Sequence, residues 1–128
     1  MTGVAIGLGC RKNVPAKMIA ALVRRALDMA DLPLESAAMY SIEDKFEEAG
    51  LHEAALLLAL PLSFFPRQQL AQYNGKGTTR SQLVQAQFGL DSVCEAAALA
   101  GAGQGGTLVL PRISDNGATC AIAIGAAL

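Results

Sequence analysis

The feature that most limits the fold of this chain is its alternation of short apolar runs with longer stretches of helical spacing. GVAIGLG is short, partly β-branched and closed by glycine, the pattern of a strand. VPAKMIAALVRRALDMA follows, with Met18, Leu22, Val23, Ala26, Leu27 and Ala30 at helical intervals and Arg24, Arg25 and Asp28 on the other side. Pro15 suits a first helical turn, and Asn13 is placed to cap it. AAMYSI, residues 37–42, predicts a second strand. EAGLHEAALLLAL predicts a helix ended by Pro61, LSFF a third strand, and residues 66–71 a short helix. The polar, glycine-rich YNGKGTTRSQ is a loop. QAQFGL is a short strand candidate, and Asp91 opens a capping pattern for a helix in DSVCEAAALAGAG. GTLVL and ATCAIAIG are strands joined by PRISDNG, whose Asp115-Asn116-Gly117 predicts a hairpin. The expected fold is α/β: a single-domain layered sandwich over residues 1–128. Its sheet is mixed, mostly parallel and covered by helices on both faces, with a C-terminal β-hairpin. ATCAIAIG is apolar on both faces, so it belongs inside the sheet.

Composition narrows the function classes. A chain of 128 residues fits one domain, and a domain of this size buries roughly 65–70% of its extended-chain surface without staples. The formal net charge of -1, with both signs interspersed, gives no electrostatic case for nucleic acid or an anionic membrane. The longest apolar run, AALLLALPLSFF, has 12 residues and a proline, against about 20 for a membrane span. Cys10, Cys94 and Cys120 are far apart and match no metal-ligand spacing. An odd cysteine count without a secretion signal predicts reduced thiols and a cytoplasmic protein. No cofactor or metal site is expected.

The stretch GLGCRKN raises the functional question: two glycines and two cations stand directly behind a strand. A dinucleotide fingerprint requires a third glycine, which Cys10-Arg11-Lys12 does not supply, and Gly75-Lys76-Gly77-Thr78 lacks the first glycine and the leading strand of a Walker loop. Nucleotide binding is therefore disfavoured. An anion is still favoured, because glycines at a strand end let backbone N–H groups approach a ligand. Lys45 follows the second strand, Arg80 lies in the polar loop and Arg112 follows a later strand. If the strands are parallel these cations share one sheet edge, where open α/β sheets gather their ligands. Several cations suit a ligand with several carboxylates. Each has a plainer reading as a solvated surface charge.

Five segments in order, GLGCRKN, SIEDKFEEAGLHEAA, LPLSFF, FGLDSVCEAAAL and LVLPRISDNGATCAIAIG, together resemble the C-terminal domain shared by CobE and CbiG proteins of cobalamin (vitamin B12) biosynthesis. The resemblance spans nearly the whole chain and implies a stand-alone CobE-like form. It carries Gly7, Gly9, Cys10 and Arg11 as the first motif, and Lys45, Glu48 and Leu51 as the second. Ser81 falls in a loop that usually holds a serine, and Glu95 leads the fourth motif. Arg112 stands where lysine is expected, Ala49 where proline is frequent, and Asn13 where glycine is frequent. Arginine keeps the charge but removes an amine nucleophile.

The implied ligand is a precorrin or corrin intermediate, held by its carboxylates through Gly7, Gly9, Cys10, Arg11, Lys45, Arg80, Ser81 and Arg112. Any cobalt arrives within that ligand. Phe46 and Tyr73 are the aromatics best placed to touch a ring. CbiG proteins open a lactone on a cobalt-precorrin and release acetaldehyde, so Glu48, Glu95 and Lys45 become acid–base candidates. Near helix starts, the two glutamates are better explained by capping and the helix dipole. Cys10 beside Arg11 could be an activated thiol, though with no histidine near it in sequence burial beside the glycines is the better reading, and His52 reads as a surface residue. Three functions stay open. They are a carrier or participant in a ring-modifying step, a lactone hydrolase, and a non-catalytic module docking on another cobalamin-pathway enzyme. An exposed face in ALLLAL would favour the last.

Overall fold

The computed structural model describes residues 3–74, 76, 90 and 92–126. Arg80, Ser81, Phe88, Asp91 and the QAQFGL strand candidate, apart from Leu90, lie outside the described residues. The elements are β1 (Val4–Cys10), α1 (Ala16–Ala30), β2 (Ala37–Ile42), α2 (Ala49–Leu58), β3 (Leu62–Phe65), α3 (Arg67–Ala71), α4 (Val93–Ala102), β4 (Thr107–Asp115) and β5 (Ala118–Ile124). A 3-10 turn, Glu43–Lys45, leads from β2 towards α2.

The five strands form one sheet in the order β3-β2-β1-β5-β4. β1 pairs in parallel with β2, and β2 with β3. β5 runs antiparallel to both β1 and β4. Four strands thus share one direction, and β5 lies between two neighbours as its apolar faces require. α1 and α2 cover one face. There Val4, Ile6 and Leu8 of β1 meet Ile19, Leu22, Val23 and Leu51 in the main core. α4 covers the other face, over Ala121 and Ala123. The crossovers after β1 and β2 lead one way along the sheet, whereas the path from β3 to β4 returns past β1. The reversal places a switch point at the carboxyl end of β1.

Several expectations shift locally. α1 begins at Ala16 with Pro15 in the cap position, so Asn13 does not cap it. Asn13 instead adopts φ 64, a left-handed conformation that glycine reaches without strain. Met18, placed on the apolar side by its spacing, is 43% exposed, and Ile19 and Ala20 are buried in its stead. Ser92 caps α4, its Oγ accepting the Glu95 N–H at 3.4 Å.

PRISDNG is not all connection, since β4 runs on through Pro111 and Arg112 to Asp115. It does so by register shifts between Leu108 and Leu110 and between Leu110 and Ile113. A proline is tolerated there because a bulged edge strand needs no ladder N–H from it. The hairpin turns at Asn116 (φ 53) and Gly117 (φ 84), as Asp-Asn-Gly predicts.

Candidate functional site

The two glycines behind β1 are explained first by packing. A Cβ on Gly7 would stand 1.9 Å from the Cys94 carbonyl oxygen and 2.5 Å from the Ala98 nitrogen. α4 lies directly on the strand, and the glycine is what lets it do so. A Cβ on Gly9 would meet Thr119 Oγ1 at 2.7 Å. Its amide is also engaged. Backbone bonds at Arg11–Gly117 and Gly125–Gly3 bracket the β1–β5 ladder, and the antiparallel alternation between them assigns the Gly9 N–H to Thr119. Gly7 and Gly9 therefore stand in the structure as close-packing residues, and the Gly9 amide does not point at a ligand.

Past Gly9 the strand enters a loop cluster. The β1–β2 pairing ends at Gly7–Tyr40, and the buried Ser41 hydroxyl takes over by donating to the Leu8 carbonyl at 2.8 Å. The chain from Cys10 to Pro15 is then held against the start of α2 by two contacts. The Asn13 N–H donates to Glu48 Oε1 at 2.8 Å. Gly50 lets α2 approach, since a Cβ there would fall 2.1 Å from the Val14 carbonyl oxygen. Glu48 sits at the N-cap position of α2 but makes no side-chain bond to its own helix, so its role is a bridge between loops rather than a cap. Leu51, three residues on, is fully buried and anchors the turn.

This arrangement brings together Cys10, Arg11, Lys12, Lys45 and Glu48. Lys45 and Glu48 lie close enough to Cys10 to act on its thiol in opposite directions. Burial outweighs both and pushes Cys10 up to about 11, which removes the activated-thiol reading. Arg11 and Lys12 are exposed, and Lys45 is half-exposed. Lys45 and Glu48 do not form an ion pair: among the described residues the pairs are Arg25–Asp115 at 3.7 Å and Arg67–Asp44 at 2.6 Å.

Phe46 is 58% exposed beside this cluster, with its ring edge-on to His52 and Phe64 at 5.2 Å each. His52 Nε2 meets the Phe46 carbonyl at 2.6 Å, so the histidine braces the Phe46 turn. Tyr73 is elsewhere. With Lys76 above its ring at 5.6 Å it lines a cavity of about 730 Å³ near Gly103–Gly106 and Leu108, towards the opposite end of α4. The structure thus brings Phe46 to the loop cluster and leaves Tyr73 away from it.

On the α4 side of the same region stand Ser92, Cys94, Glu95, Thr119 and Arg112. Glu95 is 1% exposed, and its Oε2 accepts the Arg112 backbone N–H at 2.9 Å. Burial pushes Cys94 up to about 11, partly countered by bonds to Ser92 and Thr119 and by the nearby Arg112 charge.

Sequence reasoning overlooked Arg67 and Asp44, which pair through two bonds of 2.6 and 3.4 Å at the ends of β3 and β2. The Arg67 hydrogen bond holds the Asp44 carboxyl below its ordinary value. The rule that singled out Lys45, a cation just past a parallel strand, applies equally to Arg67. Gly50 was overlooked as well, although a glycine in the first turn of a predicted helix signals close approach.

An open, mixed five-stranded α/β sheet with a loop cluster at its switch point defines the class, and in such folds ligands gather at the carboxyl edge of the strands. The particular family follows from comparison: residues 4–123 match the family described as Cobalamin synthesis G C-terminus, and the chain belongs to it. It is 34% identical over 122 residues to Protein CobE from Sinorhizobium sp, a match covering 94% of this chain and 79% of that protein. It is 29% identical over 129 residues to a probable cobalt-precorrin-5A hydrolase of Methanocaldococcus jannaschii, of whose length it spans 40%. The crystal structure of CobE, a protein from the cobalamin (vitamin B12) biosynthetic pathway, superposes with a TM-score of 0.89 at 34% identity, covering 96% of this chain and 90% of that one. The cobalamin biosynthesis protein chiG of Agrobacterium tumefaciens gives 0.74 at 32% identity, covering 97% and 99%. Among the described residues no helix is long and apolar enough to cross a membrane.

Proposed function

We propose that this member of the cobalamin-biosynthesis family binds a precorrin or corrin intermediate at the carboxyl edge of β1 and β2, as a carrier or as a participant in a ring-modifying step. One observation carries the reading. The Asn13–Glu48 bond locks two loops together at the switch point, which sets Lys45 near Cys10, with the exposed Arg11 and Lys12 next to Cys10 in the chain and the exposed Phe46 ring next to Lys45. A corrin acid offers peripheral carboxylates to such cations and a flat apolar ring to such an aromatic. Arginine suits a carboxylate because its planar fork makes two parallel bonds. Arg112 contributes from the α4 side, and Arg80 and Ser81 remain part of the proposed ligand set.

The hydrolase alternative draws on the name of the Methanocaldococcus relative. It asks Glu48 or Glu95 to exchange protons, yet each already accepts a backbone N–H. Such a bond holds each carboxylate in a fixed position against the backbone, which supports a bracing role over hydrolysis. The docking alternative is favoured by α2, where Leu56 is 81% and Leu57 57% exposed.

The test is a titration with a corrin acid such as hydrogenobyrinic acid, read by visible absorption and co-elution, with ATP and NAD as controls. Binding is expected to weaken about tenfold or more in Arg11→Ala and in Lys45→Ala, the scale of one charged hydrogen bond. Absence of corrin-acid binding refutes the reading, and capture of a pathway enzyme through Leu56 and Leu57 then supports docking. Acetaldehyde release from a lactone intermediate, lost in Glu48→Gln, establishes the hydrolase instead.

A further inference from the structure

Glu95 is the most buried charged side chain among the described residues, and its place is set by an irregularity in β4. Leu110 pairs with Ile122 and Ile113 with Cys120, so Pro111 and Arg112 together oppose the single residue Ala121. This is a β-bulge, which inserts one residue, breaks the ladder and re-aims the side chains that follow. Leu110 and Ile113 both pack into the core under α1 and α2. In a regular strand, residues three apart fall on opposite faces, and the bulge is what puts both on one. The bulge turns Arg112 towards α4, where its charge acts on the Cys94 thiol.

The bulge also leaves a backbone donor to be satisfied. Proline has no N–H, and the Arg112 N–H has left the ladder. Glu95 Oε2 accepts it at 2.9 Å. The carboxylate comes from the first turn of α4, whose N-cap is fixed by Ser92, and whose Cys94 lies against Gly7. Glu95 thereby joins α4 to the bulge, one residue from the Cys94 that packs on β1.

We infer that Glu95 is a positioning residue, whose carboxylate clamps the Pro111–Arg112 bulge and so holds Arg112 on the α4 side of the site to meet a ligand carboxylate. The clamp stands on its own geometry. The ligand contact rests on the corrin-binding reading given above.

Two readouts separate the parts. Amide hydrogen exchange on the whole chain reports the clamp without any ligand. The Arg112 amide is expected to exchange slowly in the native chain and in Glu95→Gln, which keeps an acceptor, and at least a hundredfold faster in Glu95→Ala. Core amides such as that of Ile122 should not change. Equal Arg112 exchange in Glu95→Ala and the native chain overturns the clamp. If Glu95→Ala does not fold, Glu95→Met fills the space without an acceptor and serves instead. Hydrogenobyrinic acid titration reports the contact. Glu95→Ala and Arg112→Ala should each weaken binding about tenfold and the double variant no further, with Glu95→Gln within threefold of the native chain. Additive losses, or a loss in Glu95→Gln as large as in Glu95→Ala, overturn the positioning role while leaving corrin binding intact. A native chain that binds no corrin acid overturns the ligand contact together with the proposed function, and the exchange result then decides the clamp alone.

Discussion

The two faces of β1 are packed on opposite plans. Towards α1 and α2 the strand presents Val4, Ile6 and Leu8, which interlock with Ile19, Leu22, Val23 and Leu51. Towards α4 it presents Ala5, Gly7 and Gly9, and the helix above replies with Val93, Cys94 and Ala98. One face is held by side-chain volume, the other by the absence of it. Large side chains keep a helix at a distance but bury much apolar area, roughly 1.5–3 kcal/mol for each large aliphatic. Small residues bury less, but they let the α4 backbone approach the sheet closely enough for the first-turn Glu95 to reach the β4 bulge. The site region is therefore rigid for different reasons on its two sides.

That contrast can be broken from either side. The largest effect is expected on the small side. Gly7→Val puts branched carbon where α4 backbone atoms already stand, and backbone cannot rotate aside as a side chain can. Overpacking of this kind costs about 3 kcal/mol or more, so loss of cooperative folding is expected in thermal or urea melts. Gly3→Ala, just before the same strand with nothing within 4 Å of the added Cβ, should leave the melt unchanged. A Gly7→Val protein as stable as the native chain would mean that α4 does not lie on β1 as described. On the large side the sign of the volume change reverses. Leu8 is fully buried, and Leu8→Ala should cost about 3 kcal/mol through lost burial and a residual cavity. A folded protein with a lower urea midpoint and an unchanged slope is expected. A cost under about 1 kcal/mol would show that this face closes up around voids, contrary to a core held by volume.

The same contrast explains what could be read from the sequence. The α1 and α2 side was legible because volume leaves a pattern: Leu22, Val23, Ala26 and Leu27 recur at helical spacing and are buried. Strands β2 and β3 were legible in full because prolines and polar residues bound them. The small side misled. A glycine announces that something comes close without saying what, and Gly7 was read as making room for a ligand when it makes room for α4. Pro111 was read as the end of a strand because, outside a bulge, it would be one. Glu48 was legible as a site residue but not as a bridge, since its partner is a backbone N–H 35 residues earlier with no side-chain signal. Asn13 makes that bridge at a left-handed φ of 64, which accounts for glycine suiting the position.

The two cysteines flanking the site carry the contrast into solution chemistry at the smallest cost to the fold. Burial pushes both Cys10 and Cys94 up to about 11, but Cys94 is enclosed under α4 while Cys10 is half-exposed at the loop cluster. A thiol whose value rises on folding is neutral in the native state. It contributes stability at pH values below about 8.5, where the unfolded thiol is also neutral, and loses it as pH climbs from there towards about 11. At pH 8 the Cys10 thiolate fraction should be lower than that of a free cysteine by on the order of a hundredfold, and alkylation by iodoacetamide slower in proportion. Removing Lys45, which pulls the value down, should slow the reaction further, and Glu48→Gln should speed it. Cys94 should react only as fast as the chain unfolds, so adding urea should accelerate Cys94 far more than Cys10. A mass-spectrometric time course resolves the two sites. Cys10 alkylation at the rate of a free cysteine peptide would show that the loop cluster does not enclose it, and the Asn13–Glu48 lock would then have to be looser than the 2.8 Å bond implies.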